Sequence, residues 1–177
     1  MLNKIIYTLF FLILCSSLNA KNTGLIFVSN EKTDDLTVID PDTLEIVTSI
    51  PTSERPRDMH FNEDRSLIYV ACGDDDVIDI VDISTFTVIG SLDTGPSPEA
   101  FQFSPDYKYI YVSNEEDSTL GVLNVEENAI MDAIPTGAEP EGVLTSKDGS
   151  IVYVTSEVAD MVHVVDSEGL FVSENIF

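Results

Sequence analysis

From Leu25 onward the chain alternates short apolar runs with clusters of acids, Gly, Pro, Ser and Thr. Outside the first twenty residues no window keeps a helical period of apolar positions. The unit from Pro56 to Asp93 shows the pattern. Met59–Asn62 reads as a short strand, Glu63, Asp64 and Arg65 as a turn, and Leu67–Cys72 as a second strand. Gly73 and Asp74 to Asp76 make a hairpin turn. Val77–Asp82 is a third strand in which Ile78 and Ile80 flank Asp79, and after Ser84 and Thr85 a fourth runs from Phe86 to Leu92. Runs rich in Val, Ile, Tyr, Phe and Thr between Gly, Pro, Asp and Ser predict β-strands.

The unit recurs. IFVSNEKTDDLTVID opens at Ile26, IYVACGDDDVIDIVD at Ile68, IYVSNEEDSTLGVLN at Ile110 and VYVTSEVADMVHVVD at Val152, always 42 residues apart. Pro56, Pro98 and Pro140 keep that spacing, as do Asp64, Asp106 and Asp148, and Ile50, Leu92, Ile134 and Ile176. A 40–45-residue repeat of four antiparallel strands predicts an all-β chain, a β-propeller whose blades each bury both faces against neighbours. Blade 1 is expected over about residues 25–50 with three strands, blade 2 over 56–92, blade 3 over 98–134 and blade 4 over 140–176. Leu25–Asn30 matches the second strand of a blade, and Phe177 falls at a blade end. The chain is therefore expected to be the N-terminal fragment of a ring of about seven blades. The alternative is a four-bladed ring in which blade 1 has no inner strand.

The segments YVACGDDD, YVSNEEDS, VIDPDTLEIVTSIP, GPSPEAFQFSPD and EPEGVLTSKDG resemble the YVTN β-propeller repeat over essentially the whole chain after residue 20. GDDD, the Pro-Glu pairs and SEVADMVHVVD resemble most closely the periplasmic propellers associated with PQQ-dependent alcohol catabolism. The motif is specific for fold and weak for function, since a propeller is a scaffold for many activities.

The first residues change the picture of where the protein works. Lys4, the apolar run from Ile5 to Cys15, and Ser16, Ser17 and Ala20 form a signal peptide over residues 1–20. The run is too short for a comfortable membrane span, so no span is expected after cleavage. A lipoprotein signal at Cys15 is the alternative, weakened by the bulky Leu14 before it. Periplasmic or secreted location follows. Removal of Cys15 leaves Cys72 alone, so no internal disulfide is expected.

Composition narrows the partners. The net charge is -24, from 32 Asp and Glu against 8 Lys and Arg, which repels nucleic acid and anionic lipid. It suits a cation, an amine-bearing ligand or a cationic protein surface, or simply keeps an exposed β protein soluble.

Propeller ligands bind where loops converge near the axis. Arg57, Glu99 and Glu141 each follow a proline at the start of the innermost strand. Asn30, Cys72, Asn114 and Ser156 end the next strand, with Glu31, Glu115 and Glu157 beside them. Together they are expected to form a polar, mostly acidic axial rim; the competing reading is that they cap strands and bond neighbouring blades. Asp74, Asp75 and Asp76 are weak metal candidates, because paired acids on a tight loop suit Ca²⁺ and Asp also suits turns for its own sake. His60 and His163 fall at different phases of the repeat, so no repeated ligand set exists and no haem is assigned. No G-x-S-x-G, HExxH, CxxC or phosphate-cradling glycine loop is present. Trp is absent too, against the Trp-docked propellers of PQQ dehydrogenases. The expectation is a binding or accessory protein rather than an enzyme. It would serve a periplasmic dehydrogenase or cytochrome system, or take a small ligand at the axis; the cofactor is unknown. A lactonase-like enzyme with an axial metal, completed by further blades, and a surface adhesive propeller are the alternatives.

Overall fold

The structure, a computed structural model, describes residues 23–177, so the expected signal peptide lies outside the described residues. The described residues form four antiparallel sheets. The first holds β1 (Ile26–Asn30), β2 (Asp35–Ile39) and β3 (Ile46–Pro51). The second is β4 (Pro56–Phe61), β5 (Leu67–Cys72), β6 (Val77–Asp82) and β7 (Thr87–Asp93). The third is β8 (Pro98–Phe103), β9 (Tyr109–Asn114), β10 (Thr119–Asn124) and β11 (Ala129–Pro135). The fourth is β12 (Pro140–Thr145), β13 (Ile151–Ser156), β14 (Met161–Asp166) and β15 (Phe171–Ile176). Strands within each sheet pair in chain order, as in propeller blades.

Period-2 alternation sends successive side chains of a strand to opposite blade faces, and in the second and third sheets both faces are covered. Ile68, Val70 and Val81 pack back onto Leu36, Val38 and Ile50 of the first sheet. Tyr69, Ile78 and Leu92 pack forward onto Phe101, Phe103, Ile110 and Val112 of the third. The same joint forms between the third and fourth sheets, from Tyr111, Leu120 and Ile134 to Val152, Val154 and Val165.

The inner strand begins earlier than its apolar pattern indicates. β4 pairs with β5 at Pro56↔Cys72 and resumes only at Met59↔Val70, so Arg57 and Asp58 stand in a bulge. The break recurs between Pro98 and Phe101 and between Pro140 and Val143. A bulge re-aims side chains out of the ladder. Here it frees the residue after each proline to turn toward the neighbouring blade.

Turn conformations follow the repeat as well. Asp34, Asp76, Ser118 and Asp160 all have φ between 51° and 58°. So do the linker residues Arg55, Ser97 and Glu139, with φ of 57°, 54° and 52°. A left-handed arginine is unusual and needs support. Asp34 Oδ1 supplies it, accepting the Arg55 N–H at 2.9 Å, and Asp76 Oδ1 does the same for Ser97.

Candidate functional site

The prolines and bulges bring Arg57 on β4, Glu99 on β8 and Glu141 on β12 to one end of three successive inner strands. Arg55, held in its left-handed turn just before Pro56, reaches the same place from the linker. Glu99 is at the centre, its side chain only 1% exposed. Arg55 Nη2 donates to Glu99 Oε1 at 2.8 Å, and Arg55 Nη1 donates to Ser97 Oγ at 3.2 Å. Arg57 Nη2 lies in close ion-pair contact with Glu99 Oε2, an oxygen that accepts no hydrogen bond from the described groups.

Further acids surround the two guanidiniums. Arg57 Nη1 lies 2.9 Å from Glu31 and Nη2 3.8 Å from Glu141. Arg55 lies 3.6 Å from Asp74 and 3.7 Å from Glu115. Five carboxylates thus meet two guanidiniums, an excess of three negative charges when all are ionised. An open depression of about 490 Å³ adjoins the cluster, lined by Arg55, Ser97, Glu115, Glu116 and Glu139.

Burial and the hydrogen bond shared with Glu115 push the Glu99 carboxyl up to about 7, against the pull of Arg57 and Arg55. That same shared bond holds Glu115 below its ordinary value. Burial also raises Glu141, with Arg57 opposing. Next to Arg57 on β4, burial would raise Asp58, yet hydrogen bonds from His60 and the Phe101 N–H leave it lowered. Asp58 thereby ties β4 to β8, its Oδ2 accepting from Phe101 N at 3.1 Å.

The structure divides the expected rim into two layers. Glu31, Arg57, Glu99, Glu115 and Glu141 come together, and Glu157 lies close enough to Glu141 to raise it. Asn30, Cys72, Asn114 and Ser156 do not join them. One residue earlier in sequence, they face the blade interior and contact the next strand of their own sheet, β2, β6, β10 and β14 in turn. Asn30 Nδ2 donates to Thr37 Oγ1 at 2.8 Å, and Ser156 Oγ lies 3.0 Å from His163 Nε2. Asn114 fills the space left by Gly121, and its buried Oδ1 has no hydrogen-bond partner among the described residues. Cys72 is fully buried, and burial pushes its thiol up to about 12, so it is not a reactive thiolate at neutral pH.

His163 and Asp79 share one phase of the repeat and one task. Asp79 Oδ2 accepts the N–H of Ser53 at 2.7 Å, and His163 Nε2 accepts the N–H of Gly137 at 2.7 Å. Each pins the linker that enters its own blade. His163 Nδ1 lies 2.6 Å from Asn175 Oδ1, which assigns the proton to Nδ1.

Asp74, Asp75 and Asp76 diverge. Asp74 faces Arg55, Asp75 Oδ2 accepts the Glu54 N–H at 2.7 Å, and Asp76 Oδ1 accepts the Ser97 N–H at 2.9 Å. Among the described residues no group of three His, Cys, Asp or Glu is arranged to hold a metal ion.

Arg55 is absent from the residues singled out by sequence. Its register mates are Ser97 and Glu139, so no repeated chemistry marked the position. The usable signal was two of the chain's eight cations flanking one proline, Arg55-Pro56-Arg57.

No protein-family profile matches the chain, and no curated protein matches it in sequence. Solved structures match its fold. Hydrazine synthase of Kuenenia stuttgartiensis superimposes with a TM-score of 0.78 at 23% identity, over 86% of this chain and 45% of that one. A functionally unknown protein from Desulfotomaculum acetoxidans DSM 771 gives 0.66 at 19% identity, over 80% of this chain and 48% of that one. The chain thus spans about half the length of both. At these identities the likeness is one of architecture, and with the four stacked antiparallel sheets it makes the protein a β-propeller chain.

Proposed function

We propose that this is an exported, periplasmic β-propeller of the YVTN type that binds a cationic or amine-bearing group at the acidic end of its inner strands. It would act as an accessory to a dehydrogenase or cytochrome of PQQ-dependent alcohol catabolism. The carrying observation is the cluster of five carboxylates around Arg55 and Arg57 beside an open depression. The two arginines offset two of the five carboxylates, and the negative charge left over is what a positive partner would meet. The signal-peptide pattern supports the location, and the resemblance of GDDD, the Pro-Glu pairs and SEVADMVHVVD to PQQ-associated propellers supports the system.

Two measurements test this. Titration with spermine at low salt should weaken about tenfold in the Glu115→Gln/Glu141→Gln variant, a loss of ~1.4 kcal/mol. The variant keeps nearly all of the chain's acidity, so equal affinity would mean diffuse charge and no site. Deleting the gene should impair growth on alcohols oxidised by PQQ enzymes; normal growth with unchanged dehydrogenase activity would reject the pathway assignment.

A further inference from the structure

The inner strands carry a second depression, at the end away from Glu99. Arg57, Glu99 and Glu141 stand near the starts of β4, β8 and β12, whereas His60, Gln102 and Thr145 stand near their ends. Those ends and the turns after them enclose about 250 Å³ between the second, third and fourth sheets. Phe61, Phe103 and Tyr107 supply apolar wall, the last two with ring centroids 5.2 Å apart. Thr145 Oγ1 donates to the Phe103 carbonyl at 3.2 Å and ties the fourth sheet to the third there. In a chain with 32 Asp and Glu, no carboxylate of the described residues lines this space. The acids of the two adjoining turns are engaged within them, Asp106 by Ser104 and Lys108, and Asp148 by Ser146 and Ser150.

Three polar side chains of the lining are left over. Asp58 Oδ2 lies 3.0 Å from His60 Nε2. A carboxylate only accepts, so the proton sits on Nε2, and in the neutral ring Nδ1 offers a lone pair. Among the described residues Nδ1 has no partner, nor has the Gln102 amide or the Lys147 ammonium. The Asp58–His60 pair is not a demand of the repeat. In register with it stand Ala100 and Gln102, then Gly142 and Leu144. Asp58 also accepts the Phe101 N–H directly, a tie that needs no imidazole.

A concave space with apolar walls and a few unengaged polar groups is the form of a small-ligand site. We propose that it binds a one-ring aromatic acid that carries a hydroxyl group. The hydroxyl donates to His60 Nδ1, the carboxylate meets Lys147, and the ring lies against Phe103 and Tyr107. The Gln102 amide donates to whichever oxygen it reaches. The volume falls below the roughly 300–1,000 Å³ of sites for larger ligands, which limits the occupant to one ring. Lys147 and the absence of a lining carboxylate select against an amine. No residue of the axial cluster takes part, so the site stands apart from the cation reading.

Calorimetric titration of the full chain at neutral pH tests this, with 3- and 4-hydroxybenzoate, benzoate and phenol as probes. One hydroxybenzoate should bind about fivefold or more tighter than both benzoate and phenol, since each of these lacks one polar contact. Lys147→Gln should weaken that hydroxybenzoate about fivefold and leave phenol unchanged. Lys32→Gln, the same change of charge between β1 and β2, should alter neither. His60→Gln should bring the hydroxybenzoate down to the level of benzoate without changing benzoate itself, a selective loss that a general loss of fold would not give. Failure of both hydroxybenzoates to bind, or affinity no better than that of benzoate, would overturn the proposal. So would an equal loss in Lys32→Gln and Lys147→Gln, which would reduce the effect to net charge.

Discussion

A carboxyl group taken out of water beside a second carboxyl titrates late even when arginines flank it, and Glu99 stands in that position. Folded, it holds its proton up to about 7, against an ordinary 4.5. Its contribution to stability is therefore complete below about 4.5 and is lost as pH rises through about 7. Glu115 and Asp58 act with the opposite sign, since both are lowered and lose their contribution as pH falls. Urea unfolding should show stability declining between about pH 4.5 and 7, and Glu99→Gln should remove most of that decline. An unchanged slope in the variant would show that the window belongs to other groups.

At the scale of the elements, two of the linkers between blades are held by an acceptor at one phase of the repeat, Asp79 for Ser53 and His163 for Gly137, whereas the linker between them has Gly121 at that phase. His163→Ala leaves the Gly137 N–H without its acceptor and should cost about 1–3 kcal/mol. His163→Asp, the residue that the register supplies at position 79, should recover most of the loss. Space at the linker is as tight as the bonding. A Cβ on Gly137 would lie 2.5 Å from Ala159 Cβ and 2.8 Å from His163 Nε2, so Gly137→Ala should cost about 1–3 kcal/mol by overpacking. Equilibrium unfolding measures all three; a neutral Gly137→Ala would mean that the linker shifts freely.

Over the whole molecule, 32 acids against 8 Lys and Arg repel one another, and salt screens that repulsion. Raising ionic strength from about 0.01 to 0.15 M shortens the screening length from about 30 to 8 Å. Tm should rise over that range. A fall would mean that the axial ion pairs outweigh the general repulsion.

The 42-residue register, the strand positions and the blade class were legible in the sequence, because each rests on local alternation repeated in phase. Leu67–Cys72 and Val77–Asp82 were readable to the residue, since cross-strand pairing preserves their alternation without a break. The inner strand was readable only from Met59, because its first ladder pair at Pro56 is separated from the rest by a bulge that interrupts the pattern. The split of the rim was out of reach for a related reason: which of Asn114 or Glu115 faces the axis depends on how a strand end sits in its sheet, and both are polar. The joining of Arg55 to Glu99 across 44 residues was decided by the tertiary structure alone. It needs a left-handed turn at Arg55, a bulge after Pro56 and the packing of β4 on β8 to bring the charges within reach, and periodicity carries none of the three.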